Sequence, residues 1–270
     1  MTFAAAVRSA ALLALTATAC ATATSRVELD GITVVTARRH FNNVHAIVAG
    51  DRVLLVDAGL QADAPALDRQ LRRAGVDLSR LVAIVVTHGH ADHAGGAPWF
   101  RERYGAPILA GAGDASMLQR GRNGPLCPTD GTARRQLDHH QHARFTGFTA
   151  DRSIEGSLAL GPEFGVPVTG SVTAGHTEGS LVLTSPAAAW VGDLFRGTIL
   201  GHGAATHFYM CDLADNQRDV DALLAAAPGV TRYFVGHFGP LSRRRVARWA
   251  ASRSTRDPAP HGRARARRTG

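Results

Sequence analysis

Leu81-Val82-Ala83-Ile84-Val85-Val86-Thr87 runs straight into His88-Gly89-His90-Ala91-Asp92-His93. The first stretch is apolar and β-branched without polar alternation, the pattern of a strand covered on both faces. The second carries three histidines and an aspartate, and neutral imidazole and carboxylate are good ligands for zinc and related divalent cations. On a turn at a strand end, Gly89 permits a sharp bend. His88 and His90 can then face one centre while Asp92 and His93 face a second. Paired metals a few ångströms apart need a shared loop of this kind. The competing reading, a solvated polar run, fits poorly beside the most hydrophobic strand of the chain.

Three later segments repeat one grammar: an apolar run, a glycine, then a ligand type. Val166 to Ala174 leads to Gly175-His176, Ala188 to Val191 to Gly192-Asp193, and Tyr233 to Val235 to Gly236-His237. That repetition brings several strand ends to one edge of a sheet. Around it, Val44 to Ala49 and Arg52 to Asp57 read as strands joined by the hairpin pair Gly50-Asp51. Ala64 to Gly75 has helical spacing with Gly75 as a C-cap. Ala97 to Tyr104 reads as helix, Pro107 to Ala110 and Leu181 to Ser185 as strands, and Asp215 to Ala227 and Leu241 to Ala251 as helices. Gly121 to Arg152 has no clear period and reads as a long, irregular, functional loop. Strands and helices are mixed, with hairpins early, so the chain is not a plain alternating doubly wound sheet.

The His-x-His-x-Asp-His loop, followed in order by His176, Asp193 and His237 at strand ends, resembles the metallo-β-lactamase fold hydrolases over about residues 31–250. The resemblance implies an α/β fold: a four-layer αββα sandwich of two mixed β-sheets flanked by helices, with metals at one edge of the sheets. It assigns His88, His90 and His176 to one zinc and Asp92, His93 and His237 to a second. Asp193 would bridge the two, and Asp57 would support without ligating. An Asp at the bridging position, rather than Cys, points toward the glyoxalase II-like and lactonase-like branches.

The chemistry expected from two Zn²⁺ is hydrolysis. A shared water loses its proton near neutral pH, and the resulting hydroxide attacks an ester, thioester, lactone or lactam carbonyl in a small acyl substrate. Asp92 would act as ligand and as proton carrier to the leaving group. Ligand identity leaves Fe²⁺ or Mn²⁺ open in one or both positions. A mononuclear iron persulfide dioxygenase of the same fold is therefore an alternative, and a non-catalytic metal-binding module a second. His202, His207 and Tyr209 follow Asp193 on a loop that could line the substrate pocket, although packing is the plainer role for Tyr209. His139-His140-x-His142 reads as part of a solvated loop.

Composition limits the partners. The 270 residues carry a net charge of +8 with every base an Arg. From Ser242 to Gly270 there are ten Arg and one acid, a net +9, so the other residues sum to −1. The basicity belongs to the tail, and without interleaved aromatic residues nucleic acid is not an expected partner. The expected organisation is a leader over 1–25, a catalytic domain over 26–252 and a basic disordered tail over 253–270. Arg8, the apolar Ser9 to Ala19 run and Ala17-Thr18-Ala19 before Cys20 read as an export signal of the lipoprotein kind. A lipidated Cys20 would attach the protein to a membrane; a cytoplasmic protein with a flexible N-terminus is the alternative. Cys127 and Cys211 would then be the remaining thiols, allowing one disulfide, with Cys211 read as a small buried residue. Oligomeric state is left open.

Overall fold

A computed structural model describes residues 22–201 and 203–254. Seven strands form the first sheet in sequence order: β1 (Thr22–Leu29), β2 (Ile32–Arg39), β3 (Asn42–Ala49), β4 (Arg52–Val56), β5 (Leu81–Val86), β6 (Ile108–Gly111) and β7 (Arg152–Ile154). β1 to β4 are antiparallel, and β4 to β7 parallel. The second sheet uses β8 (Ser157–Ala159), β9 (Thr169–Val172), β10 (Leu181–Thr184), β11 (Ala188–Trp190), β14 (Arg232–Phe234) and β15 (Leu241–Ser242) in the order β15-β14-β11-β10-β9-β8. Between β11 and β14 the small hairpin β12 (Arg196–Gly197) and β13 (Ala204–Ala205) stands apart.

Helices α1 (Ala64–Arg73), α2 (Ala91–Ala94), α3 (Ala97–Tyr104), α4 (Ala115–Arg120) and α5 (Gly131–Gln141) follow strands of the first sheet, and α6 (Gly161–Phe164), α7 (Leu213–Ala226) and α8 (Arg243–Ser254) those of the second. Strand alternation then sorts the core into layers. Leu55, Ile84 and Val86 pack under Leu67, Leu71 and Phe100 of the outer helices. Their neighbours Leu54, Val56, Ala83 and Val85 face Leu183, Trp190 and Phe234 of the other sheet. Ala189, Val191 and Tyr233 point the opposite way, onto Val220, Val246 and Ala250. Three stacked cores are four layers, the αββα sandwich expected. β5, read as buried on both faces, is the strand shared by the first two cores.

Several sequence expectations are corrected. β1 pairs with β2 along its whole length from Thr22↔Arg39, so Thr22 to Ser25 belong to the sheet and not to a leader. Residues 1–21, with Arg8 and Cys20, lie outside the described residues. α8 runs on to Ser254, and Arg253 donates to Asn216 Oδ1 at 2.8 Å, which removes Arg253 and Ser254 from the tail; residues 255–270 are outside the description. The stretch from Gly121 to Arg152 is not all loop, since α5 occupies its middle. The side chain of Asp130 caps α5 by accepting from Ala133 N–H at 2.8 Å, and His139 and His140 form its last turn. Only Ala133 of α5 is buried, so no apolar stripe betrays it in the sequence. Cys211 is exposed and forms a disulfide with Cys127. No helix among the described residues is long and apolar enough to cross a membrane.

One buried histidine outside the metal-ligand pattern makes stability depend on pH. His45 on β3 contacts Thr36 Oγ1 at 2.9 Å and packs edge-on against Phe234. Burial pushes its pKa down from 6.5 to about 4. Above pH 6.5 the ring is neutral in folded and unfolded chains alike. Between 6.5 and 4 only the unfolded chain takes the proton, so stability falls as pH falls. Over that window His45 is expected to cost the metal-free protein about 3 kcal/mol. Urea unfolding of chelator-treated wild type and His45→Asn across pH 7 to 4 measures it: the variant should show the shallower decline, and equal slopes would refute the assignment.

Candidate metal centre

The strand ends meet as the sequence grammar requires. Thr87 to His93 leaves β5 and enters α2, His176 lies between β9 and β10, Asp193 follows β11, and His237 follows β14. Backbone hydrogen bonds hold these ends together: Leu181 N–H donates to Thr87 O at 2.7 Å, Gly236 N–H to Gly192 O at 2.8 Å, and Asn43 N–H to Gly236 O at 2.7 Å. Asn43 also donates through Nδ2 to Val235 O at 2.8 Å and to Phe238 O, clamping the segment around His237 to the first sheet.

The glycines before the ligands have a packing reason. A Cβ on Gly236 would lie 2.3 Å from Asp193 Oδ1 and 2.5 Å from His93 Cε1. On Gly192 it would lie 2.6 Å from Thr87 Oγ1. The Asp193, His93 and Thr87 side chains lie so close to these two backbones that only hydrogen fits.

At the focus sits Asp193, a buried carboxylate. Its Oδ2 lies 3.7 Å from His88 Nε2, 3.4 Å from His93 Nε2, 3.8 Å from His176 Nε2, 3.3 Å from His237 Nε2 and 3.0 Å from His207 Nε2. His90 Nδ1 is 3.2 Å from His176 Nε2. Asp92 Oδ2 lies 3.8 Å from His93 Nε2 and 3.5 Å from His237 Nε2. Among the described residues four triads could each hold a cation: His88–His90–His176, His88–His93–Asp193, Asp92–His93–His237 and His176–Asp193–His207.

Buried polar atoms are almost always hydrogen-bonded. Here His88 Nε2, His93 Nε2, His176 Nδ1, His207 Nε2 and Asp193 Oδ1 all lack a partner. Four orphaned ring nitrogens together with an orphaned oxygen of the buried carboxylate are what a ligand set presents, and the residues fit divalent metal.

The charges agree. Burial pushes His88 and His176 well below the usual histidine range and His90 to about 4, so these three rings are neutral and able to ligate. For His93 burial acts in the same direction, but Asp193, Asp57 and Asp92 outweigh it and raise the pKa well above the ordinary value. His237 is raised likewise, against burial, by Asp193 and Asp92. Asp193 is disfavoured by burial, yet His207, His237 and His93 hold it well below the carboxylate range.

Asp57 lies directly behind His93. Its Oδ2 lies 2.8 Å from His93 Nδ1 and accepts from Thr87 Oγ1 at 2.9 Å, while Oδ1 accepts from Thr87 N–H at 2.7 Å. Its φ of +62° is a left-handed conformation unusual outside glycine, held here by those bonds.

Sequence reasoning missed several further residues. Asp114, just before α4, accepts from Gly89 N–H at 2.7 Å, from Thr177 Oγ1 at 2.8 Å and from Gly179 N–H at 2.9 Å, tying the His88–His93 loop to the His176 loop. Asn123 Oδ1 accepts from Ala91 N–H at 2.8 Å. His207, read as pocket lining, is inside the ligand cluster. Tyr209 turns away: its hydroxyl donates to Ala133 O at 3.1 Å in a satellite core with Leu126, so the packing role holds. His139 and His142 are exposed on and just after α5, and His140 is half-buried. His202 lies outside the described residues.

Comparison with known proteins matches this architecture. The model of the Metallo-beta-lactamase superfamily matches residues 37–237. The chain belongs to the metallo-beta-lactamase superfamily. Its buried His/Asp cluster is consistent with a metal site. It is 44% identical over 61 residues to the probable metallo-hydrolase YybB of Bacillus subtilis, a stretch covering 23% of this chain and 26% of that one. It is 28% identical over 196 residues to a hydroxyacylglutathione hydrolase of Dechloromonas aromatica, covering 73% of this chain and 57% of the relative. These alignments span between about a quarter and just over half of the curated relatives' lengths. A metallo-beta-lactamase with a HARLDQ motif from Cronobacter sakazakii superposes with a TM-score of 0.61 at 19% identity, over 83% of this chain and 89% of that one, which establishes the shared fold.

Asp57→Asn keeps the shape of the site but removes the carboxylate from His93. Loss of a partner that orients a ligand typically lowers metal affinity by roughly ten- to a hundredfold. Competition with a chromophoric chelator should show a loss of that size for one of the bound metals, with far-UV circular dichroism unchanged; wild-type affinity would remove Asp57 from the supporting role.

Proposed function

We propose that the protein is a dinuclear zinc hydrolase of the glyoxalase II-like and lactonase-like kind, cleaving an ester, thioester, lactone or lactam bond in a small molecule. The observation that carries this reading is Asp193 Oδ2 among the Nε2 atoms of five histidines drawn from four separate segments. One carboxylate so placed suits a bridge between two cations, one held by His88, His90 and His176 and the other by Asp92, His93 and His237.

Bound zinc supplies Lewis acidity, producing a nucleophile from water at neutral pH and polarising an acyl carbonyl. The chain's own groups do the rest. Burial of His88, His93 and Asp193 excludes bulk water and strengthens each charge interaction in the site. Asp57 fixes His93, and Thr87 Oγ1, 3.2 Å from His88 Nδ1, fixes His88. Asp92 has its side chain 28% exposed, against 2% for Asp193. It is thus the carboxylate positioned at the mouth to accept a proton and return it to the leaving group. An Asp in the bridging position and the likeness to hydroxyacylglutathione hydrolases support an acyl thioester or lactone over a β-lactam.

Export is part of the same proposal. The leader-like N-terminus reads as a lipoprotein signal with Cys20 as anchor, and the Cys127–Cys211 disulfide supports an oxidising compartment. Nucleic acid is not among the proposed substrates.

Two expectations follow for protein purified without added metal. Elemental analysis should find two zincs per chain, and a thioester or lactone should be hydrolysed faster than a cephalosporin; a single iron with persulfide oxidation would overturn the hydrolase reading. His88→Ala and His237→Ala should each lower kcat/KM by about a thousandfold or more, since each removes a ligand of a cation that would stabilise transition-state charge, while the circular dichroism stays native. Near-wild-type turnover by either variant, fully loaded with metal, would refute the ligand roles.

A further inference from the structure

His207 lies outside the ligand pattern of the sequence, yet its side chain is delivered to the centre by a built device. Residues 207–211 run alongside 127–129 as a short ribbon. Thr129 N–H donates to Phe208 O at 2.8 Å, Thr129 Oγ1 to His207 O at 2.8 Å, and Met210 N–H to Cys127 O at 2.8 Å. The Cys127–Cys211 disulfide closes the far end. The Arg196 guanidinium sits 3.8 Å from the centre of the Phe208 ring, pinning the near end. This construction holds a polar ring only 4% exposed, with its ring centre 5.0 Å from that of His176 and 5.2 Å from that of His237.

A histidine buried for packing alone would have both ring nitrogens hydrogen-bonded. His207 Nε2 makes no aligned hydrogen bond, although Asp193 Oδ2 is 3.0 Å away. Nδ1 lies 3.2 Å from Tyr209 O and can donate its proton there, which leaves the Nε2 lone pair directed into the cluster. A ring that donates through one nitrogen to a backbone carbonyl and offers the other is the arrangement metal-ligating histidines adopt. In the opposite tautomer Nδ1 accepts from Tyr209 N–H, also at 3.2 Å, and Nε2–H faces Asp193 as a donor.

We infer that His207 is a further metal ligand of the centre, joining His176 and Asp193 on the cation also held by His88 and His90. The inference rests on the dinuclear reading above and adds to it a donor brought from outside the two sheets by a disulfide-closed ribbon. That cation would have five protein donors, and its neighbour four with the shared Asp193.

The test uses full-length oxidised protein, stripped with a chelator and reloaded with Co²⁺ or Zn²⁺. Wild type is compared with His207→Ala and with His207→Gln, which keeps a polar side chain at the buried position. Metal stoichiometry, affinities by chelator competition, the visible Co²⁺ spectrum and the imidazole count per zinc by X-ray absorption are measured. Both variants are expected to keep two metals, to bind one of them at least about tenfold more weakly, to show a changed Co²⁺ band and to lose imidazole scattering. Unchanged affinities, spectrum and imidazole count in a folded variant would overturn the inference and leave His207 as a donor to Asp193. Failure of wild type to bind two metals would instead overturn the dinuclear reading on which it rests.

Discussion

Burial of the Asp193 carboxylate among imidazoles is the constraint on which the rest depends. Taking a carboxylate out of water costs several kcal/mol, and the cost is offset only when donors or cations surround it closely. Here the surroundings are histidines whose own burial opposes protonation. His88, His90 and His176 are held neutral, while His93 and His237 are drawn toward the charged form by the same carboxylates. The cluster is a frustrated electrostatic arrangement as it stands, with five polar atoms unpartnered. Divalent cations at its centre would resolve both problems, since they would replace protons as the partners of the lone pairs.

The sandwich exists, in functional terms, to hold that arrangement rigid. Two sheets meet face to face through Leu54, Val85, Leu183, Trp190 and Phe234, and the ligands stand at strand ends along one edge of this core. A displacement of one strand end would move a ligand, so cross-links between the sheets matter: Asn43 to Val235, Leu181 N–H to Thr87 O, and Asp114 bridging the two ligand loops. The glycines at 192 and 236 permit approach to a distance that any side chain would forbid.

Much of this was legible in the residue order. The unbroken apolar run from Leu81 to Val86 announced a strand shared between two cores, and the polar burst from His88 to His93 announced its end as a site. The grammar of strand, glycine and metal-competent residue pointed to His176, Asp193 and His237, which the fold brings together. Other features left no local trace. α5 is polar nearly all round, so it has no period to detect. Asp114 lies 25 residues from Gly89, whose amide it holds, and 65 from Gly179. β1 was hidden because its Ala/Thr-rich start merges with the leader-like composition before it.

The sequence by itself determined the metal-competent residue types, their order along the chain and the alternation that sorts side chains into stacked cores, because those depend on neighbours a few residues apart. Only the tertiary structure decided that Cys127 pairs with Cys211, that Tyr209 faces Ala133 and that His207 enters the cluster. These depend on how a ribbon from 127–129 and 207–211 folds back over the sheet edge. Separations of that length along the chain carry no periodic signal, and are settled only when packing and hydrogen bonding close the loop.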